Sequence, residues 1–349
     1  MGDGSGGKND SPEGAPVKAA LIDRFGGPEE IRIGDAPVPT PGPNDVLIRV
    51  AYASINPADH KSREGRLPPL DAYGFPITLG MDCSGVIEEV GSAVTGFTPG
   101  DRVISLSGMG QGYQGTYAEY CCAPAVRTFP LPTGLDMAEG ATIPIAAACA
   151  ANAVLVVAPI SAGQQVLVNG GAGSVGSFAI QLLKLLGARV AATCSTRNVE
   201  YVAGLGAEKV IDYTTESLSD AVRDWAPNGL DVVYDLIGQG SLPADMPNLI
   251  QSGGTLVCII TLITGVEAFN QVAAAARGVR VIDDIGNSMT VDPAMIQVEP
   301  LRTLLVSVNE GKILVPPYEI MPLTAVADAQ ERVAEGHVRG KILLKVANL

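Results

Sequence analysis

The residues best suited to chemistry in this chain are glycines. In Gln165-Val-Leu-Val-Asn-Gly-Gly-Ala-Gly-Ser-Val-Gly176 an apolar run enters a turn, and Gly171, Gly173 and Gly176 fall in the spacing G-x-G-x-x-G. A helical pattern follows. Such a turn binds a dinucleotide: the glycines allow a tight bend, backbone approach to a pyrophosphate and close helix–strand packing. Free N–H groups at the helix start then point at the phosphates. Gly171, Ala172, Gly173, Ser174, Val175 and Gly176 are therefore predicted to touch the cofactor. The spacing alone is a weak signal, but strand and helix are both in place around it.

The next predicted strand ends Thr193-Cys-Ser-Thr-Arg-Asn198. An NAD site places Asp or Glu here to bond the ribose hydroxyl. No acid is present. A carboxylate about 4 Å from a 2′-phosphate would cost several kcal/mol at an effective dielectric of about 20, whereas Arg offers a charge-assisted bond. The turn thus favours NADPH, with Ser195, Thr196 and Arg197 as the readers. The plainer alternatives are a solvated Arg197 and a Ser195 or Thr196 that only caps the next helix. Leu236, Ile237, Ile260 and Thr261 end later strands, and carboxyl ends of parallel strands face the ligand crevice. Apolar residues there also serve as plain core.

Polar side chains gather between Tyr52 and Lys61, and among them Asp59 reads as structural. Asn56-Pro is also a common turn signal. Tyr73 and Tyr113 lie in Pro/Gly-rich segments, and Ser107–Gly115 has the composition of a lid. Six cysteines (83, 121, 122, 149, 194, 258) form no C-x-x-C, and there are two histidines. Metal-ligand spacing is absent, and the thiols read as free in a reducing cytosol.

These residues need a frame. The chain has 349 residues, 47% hydrophobic and 17% charged, with a formal net charge of −14. That suits about two cored domains. It argues against nucleic acid or anionic lipid as partners. No apolar run reaches about 18 residues, so no membrane span is predicted. Residues 1–16 are Gly/Ser/Asp-rich and read as a dispensable tail.

From Val166 onward, strands are predicted at Val166–Asn169, Arg189–Cys194, Lys209–Asp212, Asp231–Leu236, Thr255–Ile260 and Val279–Asp283. Helical patterns separate several of them, clearest at Ser174–Leu186. This predicts a doubly wound parallel sheet. Residues 17–130 carry short strands (Val17–Asp23, Asp45–Tyr52, Gly85–Val90, Arg102–Leu106, Tyr117–Cys122) broken by Pro/Gly turns, a barrel-like pattern. Strand-like Lys312–Val315 and Lys341–Val346 flank a helix at Ala325–Glu335, so the C-terminus is predicted to rejoin the first domain.

That layout resembles the medium-chain dehydrogenase/reductase superfamily, and within it the zinc-independent quinone oxidoreductase branch, which includes zeta-crystallin-like proteins and enoyl reductases. The resemblance covers about residues 17–347. It rests on Ile55-Asn-Pro-Ala-Asp-His-Lys61, Gly80-Met-Asp-Cys-Ser-Gly-Val-Ile-Glu-Glu-Val-Gly91, Gly170–Gly176, Val210-Ile-Asp-Tyr213 and Arg339-Gly-Lys-Ile342. It implies an α/β chain: a GroES-like β-barrel catalytic domain (17–148 and 300–349) and a Rossmann NADPH-binding domain (149–299). Zinc relatives carry Gly-His-Glu where this chain has Gly80-Met81-Asp82, and Met is a poor Zn²⁺ ligand; the four-cysteine zinc lobe is missing too.

The resemblance also implies roles, with Tyr52, Asn56 and Lys61 as the catalytic candidates that supply donors to an acceptor oxygen. Asn56 stands beside nicotinamide and substrate. Lys61 donates a proton or holds cofactor, Tyr213 flanks the phosphate or adenine, and Tyr113 forms a pocket wall. The branch's Thr and aromatic are replaced by Ala150 and Asn152, which opens the pocket there. The implied activity is metal-free hydride transfer from NADPH to a small electrophile, a quinone or an enone, in the cytoplasm. Alternatives are an enoyl reductase acting on carrier-bound or thioester acyl chains, and a non-catalytic NADPH-binding protein. Subunit number stays open, a homodimer included.

Overall fold

The computed structural model describes residues 16–66, 74–106, 114–238, 240–259, 271–282 and 293–349, without the side chains of 271 and 293–297. Tyr73, Tyr113, Ile260, Thr261, Asp283, residues 107–113 of the predicted lid and residues 1–15 of the predicted tail lie outside the described residues.

The strands in chain order are β1 Val17–Ile22, β2 Ile31–Ala36, β3 Asp45–Ser54, β4 Ile77–Thr78, β5 Asp82–Val90, β6 Arg102–Leu106, β7 Tyr120–Pro124 and β8 Thr128–Pro130 in the first part. They continue as β9 Gln165–Asn169, β10 Arg189–Cys194, β11 Lys209–Asp212, β12 Leu230–Asp235, β13 Ile250–Cys258, β14 Arg280–Ile282, β15 Tyr318–Pro322 and β16 Lys341–Lys345. The helices are α1 Pro57–Arg63, α2 Met137–Ala141, α3 Pro144–Asn152, α4 Ser174–Leu185, α5 Val199–Gly204, α6 Leu218–Trp225, α7 Met246–Leu249, α8 Gln271–Ala276, α9 Pro293–Asn309 and α10 Val326–Glu335.

Six parallel strands run in the order β11-β10-β9-β12-β13-β14. Their apolar runs are continuous because both faces are covered. Alternate residues point to opposite faces. Val166, Val168, Val190, Ala192, Val232 and Tyr234 join the core with α3, α4 and α9. Leu167, Ala191, Val233 and Leu256 join the opposite core with α6, α7 and α8. The order in which strands are added reverses at β9: β10 and β11 extend the sheet on one side and β12, β13 and β14 on the other, which opens a crevice at the carboxyl end of β9 where the glycine turn begins.

The other sheets are β15-β16-β3-β5-β6-β8, with β7 also on β3, and β2-β1-β4. They enclose a core around Ile48, Val50, Ile87, Tyr117 and Leu344. The last strand, β16, lies antiparallel to β3 and pairs Leu344 with Ala53.

Two strand expectations need correction. Lys312–Val315 is not a strand: the Gln181 amide takes both the N–H and the C=O of Leu314, at 2.8 and 2.9 Å, so that backbone bonds α4 rather than a ladder. Strand Tyr117–Cys122 starts later, at Tyr120. Tyr117 instead turns fully inward, and its hydroxyl donates to Asp59.

Candidate active site

The glycine turn is built as its spacing predicts, but the glycines divide the work differently from expectation. Gly176 lies where a Cβ would stand 2.3 Å from the Gly170 carbonyl oxygen, and Gly171 where one would stand 3.0 Å from Ala192 and Ile180. These two serve packing. The left-handed residue of the turn is Gly170, at φ 97. Gly173 has φ −75 and ψ 168, and among the described residues beyond its chain neighbours the nearest atom to a Cβ there is 3.7 Å away. The turn therefore places no conformational demand on Gly173; its missing side chain leaves space on the open face. Gly173, Ser174 and Val175 are half-buried, while Gly171, Ala172 and Gly176 are buried. No side chain caps α4, so its first N–H groups are free for a ligand. A dinucleotide pyrophosphate fits this cradle.

Side chains behind the turn fix it. Thr193 accepts from the Gly170 N–H at 2.9 Å and donates to Asn169 at 2.7 Å. Asn169 donates to Asp235 and Ser241, both at 2.8 Å. The same Asp235 oxygen accepts the N–H groups of Ile237 and Gly238 at 3.1 Å. This holds Leu236 and the exposed Ile237 against the turn.

At the end of β10, Ser195 is half-buried and bonded by Asn198 at 3.2 Å. Exposed Thr196 meets Thr214 at 2.8 Å, hydroxyl to hydroxyl. Exposed Arg197 donates to the His337 carbonyl. Tyr213 is half-exposed at the end of β11. Sequence reasoning gave Arg339 no role here, yet it lies on the same turn. Arg339 donates to Asn198 Oδ1 at 2.6 Å and to the Arg197 carbonyl at 2.5 Å, and stacks 5.8 Å over the Tyr201 ring. Two guanidinium groups thus share the turn that lacks an acid.

The C-terminal segment is pinned to the glycine turn. Gly340 bridges Gly173 and donates to the Ala172 carbonyl at 3.0 Å. Its φ is 67, and a Cβ would overlap the Pro317 carbonyl at 1.8 Å, so only glycine passes. With Gly340 fixed, Arg339 reaches one side and Lys341 the other.

Lys341 is buried, and its ammonium donates to Asn56 Oδ1 at 2.5 Å. Asn56 Nδ2 donates to Asp82 Oδ1 at 2.9 Å, which also accepts the Ser54 hydroxyl at 2.5 Å. Asp82 Oδ2 accepts the Ile145 N–H at 3.0 Å. Both Asp82 oxygens are therefore engaged. Among the described residues no group of three or more His, Cys, Asp or Glu is placed to hold a metal ion. Behind Asn56, Asp59 Oδ2 accepts the Asn56 N–H and the Tyr117 hydroxyl, both at 2.7 Å. Burial raises the Asp59 carboxyl to about 7; nearby Asp82 adds to the rise, while Tyr117, the Asn56 N–H and Lys341 oppose it.

The expected division of labour shifts accordingly. The amide of Asn56 points inward to Asp82, not out to an acceptor, and the ammonium of Lys341 keeps two N–H donors beyond its bond to Asn56. Asp59, structural by its sequence context, lies inside the network. Lys61 pairs with Glu64 at 3.5 Å and has no bond to the Asn56 cluster. Tyr52 packs with Ala138, Ala141, Leu343 and Tyr318. Ala150 is fully buried in the shared core. Asn152 is buried too, and its Oδ1 has no hydrogen-bond partner among the described residues. It follows Ile145 and Cys149 at helical spacing on α3, and those two are the half-buried residues of that helix. The signal that could have revealed Lys341 and Arg339 is a basic pair around a glycine in a chain of net charge −14.

Comparison with known proteins bears on this arrangement. Residues 42–133 match the alcohol dehydrogenase GroES-like domain family, and residues 205–344 match the zinc-binding dehydrogenase family. A chloroplastic quinone-oxidoreductase homologue of Spinacia oleracea is 31% identical over 328 residues, 92% of this chain and 95% of that protein. A chloroplastic NADPH-dependent alkenal/one oxidoreductase of Arabidopsis thaliana is 32% identical over 337 residues, 94% of this chain and 79% of that protein. A mycobacterial protein solved in complex with NADPH superposes with a TM-score of 0.81 at 27% identity, covering 94% of this chain and 99% of that one. No helix among the described residues is long and apolar enough to cross a membrane.

Proposed function

Because the chain belongs to the quinone oxidoreductase branch of the medium-chain dehydrogenase/reductase superfamily, we propose that it is an NADPH-dependent, metal-free reductase of a quinone or an α,β-unsaturated carbonyl. The observation that carries this reading is the bridge from Gly340 to Gly173, which sets the Lys341–Asn56–Asp82 network beside an open phosphate cradle.

The residues divide into three tasks. Gly173, Ser174 and Val175 present backbone to the pyrophosphate, and Gly171 and Gly176 keep α4 close enough to do so. Arg197 and Arg339 exchange carbonyl partners for the 2′-phosphate, with Ser195 beside them. When bound, NADPH supplies the hydride. Lys341 offers positive charge where negative charge develops on the acceptor oxygen, and Asn56, anchored on Asp82, keeps that ammonium in place. An already electron-poor acceptor needs no Lewis acid. Asp82, whose oxygens are committed to Ser54, Asn56 and the Ile145 N–H, is poorly set to hold one.

The test is NADPH consumption against 1,4-benzoquinone, a 2-alkenal and an enoyl thioester, with zinc measured in the same active sample. Turnover of the quinone or alkenal with well under one zinc per chain is the expected result. Turnover of the thioester alone would move the assignment to acyl chains. NADPH binding without any turnover would leave a non-catalytic binder, and stoichiometric zinc would overturn the metal-free reading.

A further inference from the structure

Asp59 is fully buried, and the reaction as described above leaves it unused. We propose that Asp59 is a positioning residue whose charge governs the Asn56–Lys341 pair: neutral Asp59 leaves the Lys341 cation available to anionic partners, and ionised Asp59 offsets it. The inference rests on the reading that Lys341 faces negative charge on cofactor or acceptor.

The geometry ties Asp59 to this pair through one residue. Asn56 gives its backbone N–H to Asp59 Oδ2 and takes the Lys341 ammonium on its side-chain oxygen. The carboxyl is held in two ways that favour opposite charge states. Tyr117 and the Asn56 N–H donate to Oδ2, which suits an anion. The other oxygen, Oδ1, is buried with no partner among the described residues, which suits the neutral acid. The charged groups around it are split likewise. Asp82 on β5 opposes ionisation and Lys341 on β16 supports it. From α10, packed on α1, the polar side chain brought in is Gln330, held by Arg63 at 2.8 Å. Asp59 is thus balanced so that ionisation occurs at about 7.

The sign follows from charge. Bound NADPH would supply hydride, with its electron pair, to the electron-poor carbon; the displaced π pair would leave negative charge on the acceptor oxygen, facing Lys341, until solvent protonates it. An ionised Asp59 adds negative charge behind a site that must accept more, in a region of low dielectric. Hydride transfer should therefore slow as pH rises through about 7, and NADPH affinity should weaken in the same interval. One unit charge roughly 10 Å away at an effective dielectric of about 20 corresponds to about a tenfold change.

The experiment measures single-turnover hydride transfer with NADPH saturating, and the NADPH dissociation constant by fluorescence, each from pH 5.5 to 9. Wild type should lose about tenfold in rate, with an inflection near 7. Asp59→Asn keeps an acceptor for both donors but cannot ionise, so its profile should lose the inflection. Tyr117→Phe removes a donor that stabilises the carboxylate, so its inflection should move to higher pH; a merely structural Tyr117 would lower the melting temperature without that movement. A flat wild-type profile, an Asp59→Asn profile with the wild-type inflection, or an unmoved inflection in Tyr117→Phe would each overturn the proposal. Should Asp59→Asn fail to fold, Tyr117→Phe decides. If Lys341→Met changes neither NADPH affinity nor rate, the reading of Lys341 fails instead, whatever Asp59 does.

Discussion

The two ends of the cleft hold positive charge in opposite ways. At the β10 end, Arg197 and Arg339 are exposed and donate to main-chain carbonyls. Those carbonyls can be handed to water at little cost, so the guanidinium groups are free to exchange them for phosphate. At the Asn56 end, Lys341, Asn56, Ser54, Asp59 and Asp82 are all buried and bonded to one another or to fixed backbone. No member can leave without stranding a neighbour. One tripeptide, Arg339-Gly340-Lys341, serves both ends from a single pinned glycine. Exposed charge here has partners that water can replace, whereas buried charge is held by the fold.

The comparison breaks most visibly at Lys341. Removing its ammonium leaves the Asp82 carboxylate buried with Asn56 pulled from one side only. Lys341→Met should cost about 3–5 kcal/mol of stability, the usual penalty for stranding a buried charge, and should slow hydride transfer about 10²–10³-fold in whatever folds. Denaturant unfolding and single-turnover rates measure both. A stable, slow variant would mean that the buried end is catalytic without being structural, and the contrast between the ends would collapse.

A smaller effect separates glycines within the shared cradle. Among the described residues beyond its chain neighbours, Gly173→Val meets no atom closer than 3.7 Å at its Cβ, and its φ is ordinary for any residue. Its melting temperature should stay near wild type while NADPH affinity falls by at least about 100-fold, roughly 3 kcal/mol. Gly176→Val puts a Cβ 2.3 Å from the Gly170 oxygen and should lose stability as well. If both variants lose stability alike, Gly173 is packing too, and the open face is smaller than drawn.

Legibility in the sequence follows the same division. The parallel sheet was readable because strands buried on two faces are continuously apolar, as in Val166-Leu167-Val168, and because Gly170–Gly176 punctuates the chain where β9 meets α4. Strand ends were less so. Nothing in Lys312–Val315 announces that Gln181, far along the chain, will take its backbone bonds. Nothing in the TYAEY stretch shows that Tyr117 will reach Asp59. At the site, exposed Arg197 can be singled out by residue type, because its proposed role needs only its own charge. It failed for Lys341, Asp82 and Asp59, because a buried network is defined by partners from β3, α1, β5 and β16 that only the fold brings together.

The smallest expected effect lies at the exposed end and sharpens the comparison most. A charge-assisted Arg–phosphate bond is worth about 1.5–3 kcal/mol, or roughly 10- to 150-fold. Both Arg197 and Arg339 now bond carbonyls, and Arg339 also bonds Asn198, which in turn holds Ser195. Arg197→Ala should erase much of the preference for NADPH over NADH while leaving NADH affinity nearly unchanged, since NADH brings no 2′-phosphate to this turn. Arg339→Ala should weaken NADPH too, but it also frees Asn198 and the turn, so it should weaken NADH by a small factor. The double variant should fall short of the sum of the two losses, because neighbours that share one phosphate are not additive. None of the three should lower stability by more than about 0.5 kcal/mol, as befits exposed side chains. Dissociation constants for both cofactors at one fixed salt concentration decide the matter. If Arg197→Ala weakens NADPH and NADH equally, the turn does not read the phosphate. If both arginines prove costly to stability, they belong to the fold as Lys341 does, and the two ends are not different in kind.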